Sequence, residues 1–185
     1  LSASGWRTIF TESGDEEDRS GTIGDANTVL AVFMADTFAS YLADNPEFGS
    51  HVLVARDTRP TGAALADIFC RVLLSRGFSV RFPGIAAAPE IMAYARSVGP
   101  FAYISASHNP VGHNGVKFGG NDGGVFDRDR AAVLEKLYRT RLAGEDLSQE
   151  AATILASCNE DDLARVYSLA GAEKNASLAA YEQFS

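Results

Sequence analysis

The fold is decided by residues 52–104, which read VLVARDTRPTGAALADIFCRVLLSRGFSVRFPGIAAAPEIMAYARSVGPFAYI. Three short runs of strand length alternate there with two stretches whose apolar residues recur at helical spacing. The three runs are Val52–Ala55, Phe78–Phe82 and Phe101–Ile104. Strands that alternate with helices through short connections predict an α/β layer fold with a largely parallel sheet.

The same periodicity extends on both sides of this stretch. Apolar residues at three- and four-residue spacing, with Pro, Gly and Asp at the expected ends, predict helices over 25–44, 60–77, 89–99 and 127–142. The glycine-rich run 119–124 between Val116–Phe118 and Val125–Phe126 predicts a hairpin. Residues 11–24 are acidic and nearly free of apolar side chains, and they predict a solvated loop.

Residues 146–185 form two or three further amphipathic helices in this interpretation, without a cluster of reactive side chains. We expect a domain over 1–145 and a helical connector over 146–185 that leads toward a second domain. Because the first residue is Leu1 and a helical pattern is still running at Ser185, we also expect the chain to be part of a longer protein.

Composition excludes several classes of protein. Sixteen Lys and Arg against 24 Asp and Glu give a net charge of −8, and 46% of residues are hydrophobic. This balance argues against a disordered chain and against nucleic acid as a partner. No unbroken apolar run reaches the roughly 18 residues of a membrane span. Cys70 and Cys158 are expected to be free thiols, which favours the cytoplasm.

The reactive residues follow the predicted strands. Parallel sheets place their sites beyond the carboxyl ends of the strands, here at 56–59 and 105–114. Ser107 and His108 are neighbours, but no acidic partner marks His108 as an activated base, so a hydrolase triad is a poor interpretation. A loop hydroxyl among polar groups, followed by the ammonium of Lys117, instead fits phosphoryl chemistry.

The stretch Ser105–Lys117, SASHNPVGHNGVK, resembles the active-site loop of the α-D-phosphohexomutases, the phosphoglucomutase and phosphomannomutase family. Ser4–Arg7 is similar to the start of that family, 56–59 to its G-x-D-x-R strand end and 119–124 to its hairpin. The resemblance spans roughly residues 2–135. Departures are Ser2 and Ala3 in the opening motif, Ala88 before Pro89, and a long acidic loop.

The resemblance implies a three-layer α/β/α domain I with a mixed, largely parallel sheet. It implies that Ser107 is a phosphoserine and that the enzyme interconverts hexose 1-phosphate and hexose 6-phosphate through a hexose 1,6-bisphosphate. Arg7 and Lys117 would bind phosphate, with Lys117 also moving a proton, and His108 and Asn109 would hydrogen-bond the loop or the substrate. Mg²⁺ is the expected cofactor, held in part by the phosphate on Ser107.

Two roles stay open for the charged stretch 56–59. Arg59 could bind substrate phosphate, or its ion pair with Asp57 could orient the loop without touching the sugar. His51 and His113 have no companions at metal-ligand spacing and are not assigned to the site.

Several motifs of the family are absent from the 185 residues, among them the D-G-D-x-D-R metal loop and the later sugar- and phosphate-binding motifs. We therefore expect the chain to act with the remaining domains of its parent protein and to show little turnover alone. Glucose or mannose phosphate is the favoured substrate, with glucosamine and pentose phosphates open. The alternatives are a noncatalytic sugar-phosphate-binding or regulatory module, and an acidic interaction domain in which the serine loop is only a turn.

Overall fold

The computed structural model describes residues 5–184 as five strands and seven α-helices. The strands are β1 (Trp6–Ile9), β2 (His51–Arg56), β3 (Ser79–Arg81), β4 (Phe101–Ile104) and β5 (His113–Gly119). The helices are α1 (Asp25–Asp44), α2 (Gly62–Ser75), α3 (Ala88–Val98), α4 (Arg128–Leu142), α5 (Leu147–Ala156), α6 (Glu160–Ser168) and α7 (Ala170–Glu182), with a 3₁₀ turn at Pro46–Phe48.

The sheet is mixed, with the strand order β1-β5-β4-β2-β3. Strands β4, β2 and β3 are mutually parallel, whereas β5 runs antiparallel to both β4 and β1. Four of the five strands therefore point the same way, and the predicted α/β fold with a largely parallel sheet is confirmed. Arg56 and Ile104, the last residues of β2 and β4, are partners in the ladder, so the two strand ends that were expected to carry the site lie side by side.

Helices cover both faces of the sheet. The larger core lies on the face covered by α1, α2 and α4, and its side chains include Phe33, Phe38, Phe69 and Phe118. The smaller core lies on the opposite face, where Ile91 and Tyr94 of α3 pack against Phe101 and Tyr103 of β4. Because β2 and β4 are covered on both sides, Val52–Ala55 and Phe101–Ile104 are apolar without interruption, which is the pattern that identified them.

The expected hairpin forms only in part. The turn is present, with Gly123 at a φ of 80° and its amide donating to the Gly120 carbonyl at 3.1 Å. Its second arm is a single bridge between Gly119 and Val125, and no strand forms at 125–126. The arm stays short because the Asp127 side chain caps α4 by accepting the Arg130 amide at 2.9 Å.

Helix α1 is long and apolar enough, by length and composition, to cross a membrane. However, 61% of that apolar segment is buried inside the protein. It packs against α2, α4 and α5, and its buried Asp36 pairs with Arg141. Packing in the core therefore accounts for the apolar composition of α1.

Three helices follow residue 145, and all three pack on the rest of the fold. Helices α5 and α6 add Ile154, Leu163 and Val166 to the larger core, whereas α7 packs against α3 on the other face. Tyr167 of α6 contacts Phe82 edge to face, directly after β3. The segment thus passes around the β3 edge of the sheet and covers both layers there.

Candidate functional site

The serine loop occupies residues 105–113, between β4 and β5, and its last residue, His113, is also the first residue of β5. Ile104 ends β4, and its carbonyl accepts the backbone amide of Asp57 at 2.9 Å, just beyond the end of β2. The Ser105 amide donates to the Gly115 carbonyl of β5 at 3.0 Å. The loop therefore leaves the sheet where β2, β4 and β5 meet, as parallel topology predicts for a site.

Ser107 lies at the exposed tip of this loop in a left-handed backbone conformation, with a φ of 59°. Its amide donates to Ser105 Oγ at 3.1 Å, and the Asn109 amide donates to the Ala106 carbonyl at 3.2 Å. For a residue with a β-carbon this conformation costs about 1–2 kcal/mol, so other contacts must hold it. The turn leaves the Ser107 hydroxyl accessible from solvent, next to the exposed His108.

Arg59 is hydrogen-bonded to the backbone of the serine loop. Its side chain is only 10% exposed, and its guanidinium donates to four loop carbonyls. The acceptors and distances are Ser107 at 2.8 Å, Asn109 at 2.7 Å, Pro110 at 2.5 Å and His113 at 2.9 Å. Of the two roles left open by the sequence, these contacts favour the one in which Arg59 orients the loop.

Arg7 and Lys117 lie on one face of the sheet. Arg7 is the partner of Gly115 across β1 and β5, and Lys117 is the partner of Tyr103 across β5 and β4. Because residues two apart on a strand share a face, both side chains project on the face that α3 also covers. The Arg7 side chain passes over Gly115, where an added Cβ would lie 2.8 Å from Arg7 Cγ. This places Arg7 beside the strand segment that anchors the start of the serine loop.

Lys117 borders an apolar recess of about 190 Å³ on the same face. Its ammonium forms no ion pair with any side chain of residues 5–184, so its charge is available to a ligand. The other residues that line the recess are Ala88, Met92, Phe101, Tyr103 and Val125.

A second, more open cavity of about 290 Å³ lies on the β2 side of the loop. It is lined by Asp57, Thr58, Arg59, Pro60, Ser107, Asn109 and Val111. The structure therefore brings Ser107, Asn109 and Arg59 together at this cavity. Arg7 and Lys117 lie on the α3 face, at the β1 and β5 side of the loop.

Most of the acidic segment 11–24 is exposed as predicted, although Thr11 is buried and Ile23 packs against the core. The segment also packs on the serine loop. The Gly112 amide donates to the Glu16 carbonyl at 2.7 Å, and Glu16 Oε2 lies 3.3 Å from His113 Nε2. Gly112 permits this contact, because a Cβ there would lie 2.4 Å from the Asp15 carbonyl oxygen. Sequence reasoning missed this contact, since nothing in a charged run indicates its partner.

Two buried polar groups also escaped the sequence analysis. The fully buried Asn114 donates to Thr61 Oγ1 at 3.0 Å and accepts the Gly115 amide at 2.9 Å. This pair ties the start of β5 to the start of α2 behind the loop. In the sheet below, the Tyr103 hydroxyl donates to the Ala86 carbonyl at 2.9 Å, and burial raises the pKa of Tyr103 to about 12. Tyr103 is therefore a neutral donor at neutral pH.

Residues 5–184 contain no group of three or more His, Cys, Asp or Glu side chains placed to hold a metal ion. A phosphate on Ser107 would add oxygen ligands of the kind that Mg²⁺ prefers. The described part of the chain thus offers at most part of a magnesium site. Ser4, in the predicted opening motif, lies outside the described residues.

Comparisons with known proteins agree with this geometry. The family model described as phosphoglucomutase/phosphomannomutase, alpha/beta/alpha domain I, matches residues 7–145. A phosphoglucosamine mutase from Streptococcus thermophilus is 39% identical over 123 residues, which cover 63% of this chain and 27% of that protein. A phosphoglucosamine mutase from Levilactobacillus brevis is 39% identical over 126 residues, with coverages of 63% and 28%.

Solved structures share the fold at lower identity. A protein from Thermus thermophilus superposes with a TM-score of 0.58 at 23% identity, over 75% of this chain and 29% of that one. A phosphoglucomutase/phosphomannomutase family protein from Burkholderia thailandensis gives a TM-score of 0.53 at 20% identity, over 75% and 29%. The matched region spans about a quarter of the length of the curated relatives.

Proposed function

The chain belongs to the phosphoglucomutase/phosphomannomutase family, and from that premise we propose that Ser107 carries the phosphoryl group of a hexose phosphate mutase. The enzyme would interconvert hexose 1-phosphate and hexose 6-phosphate through a phosphoserine and a hexose 1,6-bisphosphate. The observation that carries the proposal is the exposed Ser107 at the tip of a tightly held loop, at the carboxyl edge of the sheet and within the matched domain.

In the proposed reaction, the bond between phosphorus and Ser107 Oγ breaks as a bond to a sugar hydroxyl forms. The Lys117 ammonium donates a proton to Ser107 Oγ as the bond to phosphorus breaks, and its amine takes up the proton of the sugar hydroxyl, so that charge and protons balance. The reverse transfer, from the other phosphate of the bisphosphate, restores the phosphoserine. Each step moves one phosphoryl group between two oxygen atoms.

Arg7 would supply a fixed positive charge for the phosphate oxygens, since its planar guanidinium suits two of them at once. His108 and Asn109 would hydrogen-bond the substrate or the loop, and the exposure of His108 leaves its ring accessible to a ligand. Arg59 would act on the loop carbonyls rather than on the phosphate.

The proposal gives Mg²⁺ one role, and this chain supplies one of its ligands. When bound, the ion would neutralise charge on the transferring phosphoryl oxygens, with the Ser107 phosphate as one ligand. The described residues do not complete such a site. The remaining ligands would come from the other domains of a longer parent chain, and the roles of the residues above do not depend on the ion.

Glucosamine phosphate is the substrate to test first. The sequence analysis favoured glucose or mannose phosphate, but the two relatives at 39% identity are phosphoglucosamine mutases. Since the chain matches only about a quarter of their length, the substrate of the whole protein stays a proposal. Glucose and mannose bisphosphates are therefore compared with glucosamine 1,6-bisphosphate in the experiment.

The test is phosphorylation of the longer parent protein by each hexose 1,6-bisphosphate in the presence of Mg²⁺, followed by intact mass and peptide mapping over Phe101–Lys117. We expect one added phosphoryl group, on Ser107, and none in Ser107→Ala, which should keep its fold because Ser107 is exposed. Ser50→Ala, at the opposite end of the sheet, is the matched control and should be phosphorylated normally.

A chain modified at another residue, or equally in Ser107→Ala, would overturn the assignment. Turnover is tested separately on the 185 residues alone, for which we expect little or no conversion of hexose 1-phosphate. Robust multiple turnover would contradict the proposal that other domains complete the site.

A further inference from the structure

We propose that Arg59 is the positioning residue of the serine loop, and that its guanidinium holds Ser107 in the left-handed conformation from which phosphoryl transfer occurs. The consequence for transfer rests on the proposed function, whereas the effect on the loop does not. Four carbonyls between Ser107 and His113 converge on the two terminal nitrogens of this one side chain.

The terminal donors of the Arg59 guanidinium are all used by the serine loop. A guanidinium carries four terminal N–H groups, two on each terminal nitrogen. In Arg59, one of these nitrogens donates to the Pro110 and His113 carbonyls and the other to the Ser107 and Asn109 carbonyls. All four terminal donors are thus engaged by the loop, and a phosphate could bind them only by displacing it.

Asp57 in turn holds Arg59 in place. Arg59 Nε lies 3.3 Å from Asp57 Oδ2, close enough for an ion pair although not aligned as a hydrogen bond. The other oxygen of Asp57 accepts the Arg59 amide at 3.0 Å, and the Asp57 amide donates to the Ile104 carbonyl. The guanidinium is therefore held against the ends of β2 and β4, which are themselves paired in the sheet.

Hydrogen bonds hold Ser107 in its left-handed conformation. A non-glycine residue at a φ of 59° persists only where its surroundings determine it. The Ser107 carbonyl bonds to Arg59 at 2.8 Å and its amide to Ser105 Oγ at 3.1 Å, so both peptide groups of the strained residue are held. Without Arg59, four carbonyls would point at one another with no donor between them.

A lysine at position 59 cannot make the hydrogen bonds that Arg59 makes to the four carbonyls. Its ammonium has three donors around a single atom, whereas the four carbonyls are served by a planar group with two separate nitrogens. The chemical consequence is a loss of alignment, because a misplaced Ser107 oxygen lowers the rate of transfer even when every reacting group is present.

The experiment measures the loop and the reaction separately, in the chain and in Arg59→Lys and Arg59→Ala. Amide hydrogen exchange at Ser107, Asn109 and His113 reports the loop. The rate of Ser107 phosphorylation by glucosamine 1,6-bisphosphate, measured in the longer parent protein with the same substitutions, reports the reaction. Arg71→Lys is the matched control, since Arg71 is also partly buried and pairs with Asp67 and Glu160 away from the loop.

We expect exchange at the three loop amides to rise about tenfold or more in both Arg59 variants, with the sheet amides unchanged and no change in Arg71→Lys. Phosphorylation should slow by at least a similar factor. Added methylguanidinium should restore loop protection and rate to Arg59→Ala but not to Arg59→Lys, whose side chain still fills the site. A purely structural role for Arg59 in global stability would not produce this rescue.

Loop exchange that stays unchanged in Arg59→Ala would overturn the inference, whatever the reaction does. A loosened loop with an unphosphorylated wild-type parent protein would support the positioning role and reject the proposed function instead. If Arg59→Ala fails to fold, Arg59→Lys decides the question, and a lysine variant with normal loop protection would reject the inference.

Discussion

At the scale of single residues, the site depends on Gly115, which has no side chain. Gly115 lets β1 approach β5 so closely that an added Cβ would lie 2.1 Å from the Trp6 carbonyl oxygen and 2.8 Å from Arg7 Cγ. Its own φ is not in the left-handed region. Its role is therefore steric, and it decides where the Arg7 side chain can lie relative to the serine loop.

We expect Gly115→Ala to destabilise the protein by about 3 kcal/mol, because β1 must move away from β5 to admit the methyl group. The loss of unfolding free energy can be measured by urea denaturation, and Ser107 phosphorylation should fall as Arg7 shifts. Gly171→Ala is the control, since no atom lies within 4 Å of a Cβ at this position of α7. It should be neutral or stabilising by about 0.5–1 kcal/mol, and equal effects of the two substitutions would reject the steric argument.

At the scale of elements, α7 is docked on α3 by a polar cluster. Lys174 donates to both carboxylate oxygens of Glu90 at 2.7 and 2.8 Å and to the Ile85 carbonyl at 2.9 Å. The buried Ser177 donates to Glu90 Oε1 at 2.5 Å, and Tyr94 of α3 donates to Glu173. Burial would raise the pKa of Glu90, but the bonds from Lys174 and Ser177 outweigh it and lower the pKa below its usual value of 4.5.

Ionised Glu90 therefore stabilises the folded protein above about pH 4.5, and this contribution is lost as the pH falls through the lowered pKa of the folded state. We expect Glu90→Gln to lose about 1–3 kcal/mol of unfolding free energy at pH 7. The difference from wild type should shrink as the pH falls below 4.5, because Glu90 in the wild type then becomes protonated. Urea denaturation from neutral to acidic pH measures both curves.

Glu135→Gln is the matched control for this experiment, since Glu135 forms a surface pair with Arg139 one helical turn away. Surface pairs of this kind contribute little, so its curve should follow the wild type. A Glu90→Gln curve that runs parallel to wild type over the whole pH range would show that the cluster does not dock α7 through its charge.

At the scale of the whole molecule, the helices after residue 145 belong to the packing of the domain although the family match ends there. Ile154, Leu163 and Val166 are buried in the larger core, and α7 covers α3 on the opposite face. The prediction that 146–185 leads to a further domain is untested. Its helices nevertheless lie beside β3, where Tyr167 contacts Phe82 and Glu173 pairs with Arg81.

A chain that ends at residue 145 should therefore lose about 5 kcal/mol of unfolding free energy or fail to fold, because three large apolar side chains leave the core at about 1.5–3 kcal/mol each. Urea denaturation and binding of a hydrophobic dye measure the effect. Leu163→Ala in the 185-residue chain is the milder variant and should cost about 2–5 kcal/mol. Unfolding midpoints equal to wild type in both would mean that the segment is only a connector.

Much of the site was predictable because it is local in sequence. The strand that ends at Ile104, the loop that carries Ser107 and the cap at Asp127 follow from short-range patterns, and the structure has them where the patterns place them. Strand β1 was missed, because the four residues Trp6–Ile9 are too short and mixed to show a period. The second arm at 125–126 was predicted but is replaced by one bridge, since the start of α4 leaves it no length.

The sequence by itself determined the α/β class, the parallel strands at the centre of the sheet, and the polar loop at their carboxyl ends, because periodicity and turn residues act within a few neighbours. Only the tertiary structure decided that Arg59 serves four carbonyls of the serine loop, that Glu16 packs on Gly112, and that α7 docks on α3. These contacts join residues about 50 to 100 positions apart in the chain. Their partners are fixed by strand order and register, which depend on how the whole chain buries its apolar surface and on no local pattern.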